Sequence, residues 1–450
     1  MPVPISYEGF KKVLQQAGAR KLSELEIDVD KDWGGHVIKN LGSPTATGDA
    51  VPLGYLKFPY DYLIYTDGTS FYAYNGKTNK IDYEGTDAYT VIQSALDALT
   101  SGGKVYIAPG TYPISNHIEV PSNILLEGAG WSTIIEGNTT DGYTVRAMGT
   151  SNSYKENVII RNLHVKVNAT DADGITMYFA RRYLIEGCYI EGSGEEGIEQ
   201  IAVEDGIVRN NVIEGMGTGA NAAIDVYFDA PTGKTSGRVV IEGNIVKNCG
   251  SWGIHVGGGT KGCVIRGNTL HYPGGEGIYI EAGGGMNIED VIVSGNEVVL
   301  PGGVGVYIRS RDADTIHGHI IISGNRFEGD GDRLKNGILV HGVDRLNIIG
   351  NHISSAKYSG IEVGKDDSGT NYSFHVNIQG NTIIGCGGDG VRISGAHRTI
   401  VKGNASCGNS GYGVNETDGD LNVIAGNVFI GDSAGKTATV GTNTLVTDNV

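Results

Sequence analysis

The sequence predicts an all-β chain wound as a single-stranded parallel β-helix solenoid, and three observations carry that prediction. The first is a repeated phrase, plainest over Cys263–Glu281, CVIRGNTLHYPGGEGIYIE. It joins a β-branched run, a Gly-Asn corner, a glycine turn and Gly-Ile-x-Ile. The corner returns at Asn244, Asn268, Asn296, Asn325, Asn351, Asn381, Asn404 and Asn427, with variants at Asn162, Cys188 and Asn211, in steps of 23 to 33 residues. A short period with inserts of varied length marks units that bury their apolar faces only against their neighbours. The second observation is the period-2 alternation inside each unit, a strand signal rather than a helix signal. The third is glycine, 72 of 450 residues without a collagen period. The excess sits at corners, where positive φ is needed. Asparagine beside it tolerates the left-handed region, and asparagines stacked in register can bond one another from coil to coil.

Composition narrows the function. A net charge of −17 demotes a generic nucleic-acid binder, though it leaves room for a locally basic cleft. The five cysteines, Cys188, Cys249, Cys263, Cys386 and Cys407, are odd in number and lack CxxC spacing. They read as small buried hydrophobes rather than disulfides or metal ligands. The N-terminus lacks a basic-then-apolar signal peptide, and no apolar run approaches the ~18 residues that would span a membrane.

In chain order, Ser6–Glu26 has the apolar spacing of a short amphipathic helix, through Phe10, Val13, Leu14 and Ala17. Asp32–Leu53, DWGGHVIKNLGSPTATGDAVPL, resembles a linker common in phage tail fibres and tailspikes. That resemblance implies a virion-proximal stem, a homotrimer or virion attachment through the N-terminus, and an extracellular or virion-associated location. Tyr60–Tyr83 alternates aromatic and polar residues around Asp67-Gly68 and Asn75-Gly76, which are hairpin signals. Thr86–Leu99 reads as a capped helix with Val91, Ile92, Ala95, Leu96 and Leu99 on one face. The following GGKVYIAPGTYPI, Gly102–Ile114, together with that helix resembles the N-terminal cap of pectate-lyase-like β-helix proteins, which implies a right-handed solenoid. The expected organisation is a helix and stem over 1–57, a hairpin, capping helix and strand over 58–119, and a catalytic β-helix over 120–450.

Chemistry is expected on one outward face. Each coil's second strand starts at a glycine, so alternation points the second and fourth residues out. The second column reads Thr144, Thr176, Glu199, Asp225, His255, Tyr279, Tyr307, Leu339, Glu362, Arg392. The fourth reads Arg146, Tyr178, Ile201, Tyr227, Gly257, Glu281, Arg309, His341, Gly364, Ser394. Coils stack about 4.8 Å apart, which sets Asp225 beside His255 and His255 beside Tyr279. Tyr227 and Glu281 then face each other about 10 Å apart across Gly257, a floor for a sugar ring. Taken singly, Asp225–His255 is a surface hydrogen bond, Tyr279–Tyr307 an aromatic ladder and Arg309–Glu281 an exposed ion pair. Taken together they read as a cleft. Asp225, Tyr227, His255, Tyr279, Glu281 and Arg309 are the catalytic candidates. Tyr178, Glu199, Gly257, Tyr307, Arg311, His341 and Arg392 are the candidates for holding substrate.

This set suits a polysaccharide of uronic acid. Arginine meets a carboxylate with two bonds, histidine and tyrosine carry protons, and Asp225 fixes the imidazole tautomer. Abstracting the C5 proton gives β-elimination if O4 leaves, or C5-epimerisation if a proton returns to the other face. The repeats over Val120–Val450 resemble the β-helix module of mannuronan C5-epimerases and related alginate lyases. In that family a Gly-[Phe/Ile]-Asp-Pro-His strand supplies Asp and His. The nearest stretch here, Ala223-Ile224-Asp225-Val226-Tyr227, keeps the Asp, puts Tyr227 where the His would be, and leaves the His to the next coil at His255. Two other readings stay open. One is a tailspike glycoside hydrolase using Asp225 and Glu281, with Glu199 as a third carboxyl. The other is a tail fibre that binds glycan without catalysis. No cofactor is required by any of these. Calcium shared by Asp225, Asp229 and Glu281 is a further option, without a calcium-repeat motif to support it.

Overall fold

The computed structural model describes Lys12 and residues 58–450, save 140, 141, 218, 220, 284 and 312–316. Apart from Lys12, the helix expected over Ser6–Glu26 and the Asp32–Leu53 stem lie outside the described residues. Residues Phe58–Val450 form one compact unit.

That unit opens with an antiparallel meander, β1 (Tyr62–Thr66), β2 (Phe71–Asn75) and β3 (Lys80–Gly85). Its turns are the ones the sequence signals. Asp67 Oδ1 accepts from the Thr69 and Ser70 amides at 2.9 and 2.8 Å, and Asn75 Oδ1 from those of Lys77 and Thr78 at 2.9 and 3.1 Å. Helix α1 (Ala88–Asp97) follows, N-capped by Asp87, whose carboxylate accepts from the Thr90 amide at 3.0 Å. Its buried face, Val91, Ile92, Ala95 and Leu96, packs on the meander and the first coil. The helix thereby covers apolar surface that stacking alone would leave wet.

Every coil gives one strand to each of three parallel sheets. The second and third sheets have 13 strands each, and the first has 20 because it adds the three-stranded meander, a last strand at Leu445–Thr447 and three coils whose strand is split in two. The first coil is β4 (Gly103–Ile107), β5 (Gly110–Ile114) and β6 (Ile118–Glu119). The solenoid therefore begins one coil before Val120. The Gly102–Ile114 segment, read from sequence as part of the cap, already turns Val105, Ile107, Tyr112 and Ile114 inward and pairs with the coil above. Inside, columns of Ile and Val from successive coils are fully buried.

The corner departs from the sequence reading in one respect. Glycine takes the left-handed conformation, with φ of 61–65° at Gly243, Gly267, Gly295, Gly324, Gly350, Gly380, Gly403 and Gly426. The asparagine that follows is released to bond along the axis. Each Nδ2 donates to the Oδ1 of the next coil's asparagine, from Asn211 through Asn244, Asn268 and onward to Asn427, at 2.9–3.0 Å. Each Nδ2 also donates to a carbonyl below, as Asn296 does to Ile265 at 2.9 Å. At the variant coils the same division holds. Asn162 takes the left-handed position, while the amide of Cys188, in the ladder position, donates to Asn211 Oδ1 at 2.9 Å. The cysteines are free, and all but Cys407 are buried.

The ladder yields a stability prediction. Asn296→Ala strands the Asn268 and Asn325 side chains and the Ile265 carbonyl in a dry corner. It is expected to remove about 2–4 kcal/mol, read as a lower urea midpoint with unchanged β-sheet circular dichroism. The exposed Asn443→Ala is expected to shift the midpoint little, and equal shifts would count against the ladder as the corner's main clamp.

Candidate active site

The site lies on the outer face of the third sheet, over strands Ile198–Ile201, Ala222–Tyr227, Trp252–Val256, Ile278–Ala282 and Val306–Ser310. The inward residues Ile224, Val226, Ile254, Val256, Ile278 and Ile280 are fully buried and hold the strands in place. Their register sets one outward ladder in the order Glu199, Asp225, His255, Tyr279, Tyr307, Leu339. A second runs from Ile201 and Tyr227 to Glu281, Arg309 and His341. Near the start the sequence column needs a two-residue shift. Arg146, not Thr144, pairs with Thr176, because Val145 and Ala147 are the inward pair there.

A cleft of about 460 Å³ opens over these strands, and Asp225, Tyr227, His255, Gly257, Glu281 and Arg311 all line it. Gly257 is required by space. A Cβ there would stand 2.9 Å from Tyr227 Cβ and 3.0 Å from His255 Cε1. The imidazole of His255 is only 9% exposed. Its ring stacks on Tyr279, centroids 5.3 Å apart, and leans on Trp252 at 4.9 Å. Nδ1 lies 2.8 Å from Asp225 Oδ1. A carboxylate accepts, so in the neutral tautomer Nδ1 carries the proton and the lone pair is on Nε2. Nε2 is buried and has no hydrogen-bond partner.

The walls carry proton-bearing groups. The Tyr227 hydroxyl donates to Glu199 Oε1 at 2.9 Å, and burial, reinforced by Glu199 and Asp225, raises its pKa far above the usual phenol range. The Tyr279 hydroxyl donates to Glu281. Burial also raises Tyr279 well above the usual phenol range and pushes Tyr307 up to about 12. Glu281 is paired with Arg311 and lies 3.6 Å from Arg309.

Several sequence candidates sit elsewhere or are already engaged. Arg309 bonds Asp367 with Nε at 2.5 Å and the Tyr279 hydroxyl at 3.3 Å, so its fork is taken by the 365–372 loop. His341 lies 3.5 Å from that same Asp367 and 3.3 Å from the Tyr307 hydroxyl, just beyond the cleft. Glu199 sits behind Tyr227 rather than on the cleft lining. Tyr178 bonds Asp229 and stacks on Phe179 at 4.7 Å, outside the cleft. Arg392 pairs with Glu362, three strands beyond Tyr307. The carboxylates considered for calcium each have protein partners: Asp225 has His255, Glu281 has Arg311, and Asp229 has Tyr178 and Thr232. Among the described residues these three do not bring an oxygen each within 4.8 Å of one another. The acidic oxygens that do converge, within 4.8 Å of one another, belong to Asp173, Glu196 and Glu199.

The sequence reading missed Glu196 and Trp252, which line the cleft, and Asp173 beneath it. All three stand immediately before a repeat glycine, Gly197, Gly253 or Gly174. Asp173 and Trp252 open their strands and Glu196 stands two residues before its own, all ahead of the residues from which the outward columns are counted. A third column, read just ahead of the glycines, holds the missing signal.

Comparison with known proteins agrees with this architecture. Residues 233–375 and 317–450 match the family model described as a right-handed β-helix region. Residues 80–272 match the model described as rhamnogalacturonase A/epimerase, pectate lyase-like. A search of curated protein sequences finds no match. Among solved structures, the chain is similar to the A-module of the Azotobacter vinelandii mannuronan C-5 epimerase AlgE6, with TM-score 0.58 and 21% identity over 81% of this chain and 95% of that one. It is also similar to tailspike protein 3 of bacteriophage CBA120, with TM-score 0.60 and 13% identity over 81% and 59%. A third is PfbA, a surface adhesin of Streptococcus pneumoniae, with TM-score 0.59 and 14% identity over 73% and 88%. One fold thus carries an epimerase, a tailspike and an adhesin, so function must be argued from the site. The chain is a right-handed parallel β-helix, matched over residues 80–450 by pectate-lyase-like and β-helix family models.

Proposed function

We propose that the cleft abstracts the C5 proton of a uronic-acid residue in an anionic, alginate-like polysaccharide, acting as a C5-epimerase or a β-eliminating lyase. The observation that carries this reading is His255 Nε2. It is a buried lone pair without a partner, facing a glycine floor, on a ring whose other nitrogen is fixed by Asp225. A base in that setting takes a proton from carbon only if the resulting charge is met. Arg311, paired at rest with Glu281, is the arginine of the lining that would turn to that charge. The Tyr227 and Tyr279 hydroxyls keep their protons, shared at rest with Glu199 and Glu281, and stand on either side of His255 as proton carriers. From that intermediate, a tyrosine hydroxyl that gives its proton to the opposite face inverts C5, whereas departure of O4 with a proton from that hydroxyl forms the C4–C5 double bond.

The mannuronan epimerase module shares this fold, which supports the substrate class without fixing it. The hydrolase reading keeps one support, since Glu196, a second carboxyl, lines the same cleft as Asp225. The pair first considered for it, Asp225 and Glu281, is weaker. His255 engages the first, and Arg311 and Tyr279 engage the second.

The tailspike and the surface adhesin of the same fold support placing this protein outside a cell or on a virion. No helix among the described residues is long and apolar enough to cross a membrane.

Purified chain should be incubated with polymannuronate, alginate, pectate and neutral glycans. Ultraviolet absorbance would report unsaturated ends, and proton NMR would report C5 inversion. His255→Ala is expected to lower the rate on the active uronate by about 10²–10⁴-fold. Asp225→Asn is expected to lower it by about 10–100-fold with little change in KM. Full activity in His255→Ala, or reducing ends released only from a neutral glycan, would contradict the reading.

The assembly proposed is a homotrimer joined through the N-terminal segment. Light scattering on the full chain is expected to give about three times the 47.4 kDa chain mass. A mass of 47.4 kDa would refute it.

A further inference from the structure

A carboxylate already sits beside the cleft on a cationic seat, and it belongs to the protein. Asp367, from the loop 365–372, lays Oδ2 against Arg309, whose Nε donates at 2.5 Å and whose Nη2 joins it. Its Oδ1 lies 3.5 Å from Nδ1 of His341. The Tyr307 hydroxyl closes the group, 3.3 Å from that same Nδ1. A guanidinium with an imidazole and a phenol beside it is the surrounding a uronate carboxylate would seek on a protein.

The seat is continuous with the cleft. Arg309 donates to the Tyr279 hydroxyl at 3.3 Å and lies 3.6 Å from Glu281, which lines the cleft. Register places Arg309 one coil past Glu281, and His341 one coil further. His255 pairs with Tyr279, on the strand of Glu281, so Arg309 stands two coils from His255, about 10 Å along the axis. That is too far to hold the carboxylate of the sugar whose C5 faces His255. It is within reach of the following units of a polymer laid along the solenoid.

The loop is built so that its tip can let go. Its ends are fastened, since Lys365 Nζ pairs with Asp418 at 2.9 Å and stands 4.2 Å over the Tyr372 ring. Asp366 is buried and supports the turn from within. It accepts from the Ser368 hydroxyl at 2.8 Å, the Thr370 amide at 2.9 Å and the Asn371 side chain at 2.9 Å. None of those bonds involves Asp367, whose own backbone tie is a 3.3 Å amide bond to the Ser310 carbonyl. From Asp367 to Thr370 the chain is exposed. Turning the Asp367 side chain away therefore leaves the turn intact.

We propose that Arg309 and His341 form a subsite for the carboxylate of a uronic-acid unit beyond the reacting one, and that Asp367 is its internal occupant, displaced when the polymer binds. This assignment rests on the uronate reading above and adds a second carboxylate contact to it. The exchange is carboxylate for carboxylate, so the guanidinium stays paired throughout. A substrate too short to reach the seat leaves Asp367 in place, and a longer one removes it. Because the internal carboxylate competes, the polymer's apparent affinity is lowered in proportion to the fraction of seats left open.

The test compares the full-length parent with Asp367→Ala on a uronate dimer, a longer oligouronate and a neutral oligosaccharide of the same length. Calorimetry is expected to show Asp367→Ala binding the longer oligouronate about 10-fold more tightly than the parent, with the dimer and the neutral sugar unchanged. Asp367→Asn should move in the same direction, and a misfolded loop would not produce a gain. Adding Arg309→Gln to Asp367→Ala should abolish the gain. Equal or weaker binding by Asp367→Ala, or a gain that survives Arg309→Gln and so reflects only the lost negative charge, would overturn the assignment. If the parent turns over a polyuronate and Asp367→Ala shows no gain, the seat alone falls. If neither protein binds any uronate, the substrate reading has failed and the seat falls with it.

Discussion

Parallel strands stacked about 4.8 Å apart, with a buried asparagine clamped at each corner, are the constraint on which the rest depends. The clamp works because two adjacent residues divide the labour. Glycine turns the chain at positive φ, and asparagine spends its amide along the axis. Once that corner is fixed, the Ile and Val columns fall inward and the register of the outer face follows. The cleft is a consequence of this order, since Asp225, His255 and Tyr279 meet only because their coils cannot slip.

The same constraint explains how a solvent-facing sheet comes to hold a buried imidazole. His255 projects outward, yet Trp252 and Tyr279 flank its ring and Gly257 leaves space for its edge. Asp225 orients it from the neighbouring coil. The result is a base with one nitrogen committed and the other waiting. Negative charge is handled separately. Glu281 and Asp367 take the arginines, while Asp173, Glu196 and Glu199 gather below without any. The cleft is therefore acidic by composition, with tyrosine hydroxyls bonded to its carboxylates.

Much of this was legible in the sequence. The Gly-Asn repeat and the alternation within it identify a β-helix, and stacking alone brings Asp225, His255, Tyr279, Tyr227 and Glu281 to one face. The capping helix and the turns at Asp67 and Asn75 were equally plain, because capping and turn chemistry are local. What escaped lay outside the outward columns. Glu196, Trp252 and Asp173 stand just before the repeat glycines, at or ahead of the first residue of their strands, where the outward columns had not yet begun. Asp367 comes from a loop, so the capture of Arg309 had no periodic signature. Tyr178 and Arg392 share the columns but lie too many coils away, or point to other partners, to meet the cleft.

The central claim is that His255 takes a proton from carbon, and isotopic substitution of that proton tests it most directly. Turnover of a polyuronate deuterated at C5 is expected to be slower than turnover of the protiated polymer, with a normal primary isotope effect, for epimerisation and elimination alike. Equal rates on the two polymers under conditions where chemistry limits turnover would contradict the account, as would cleavage with C5 deuterium fully retained.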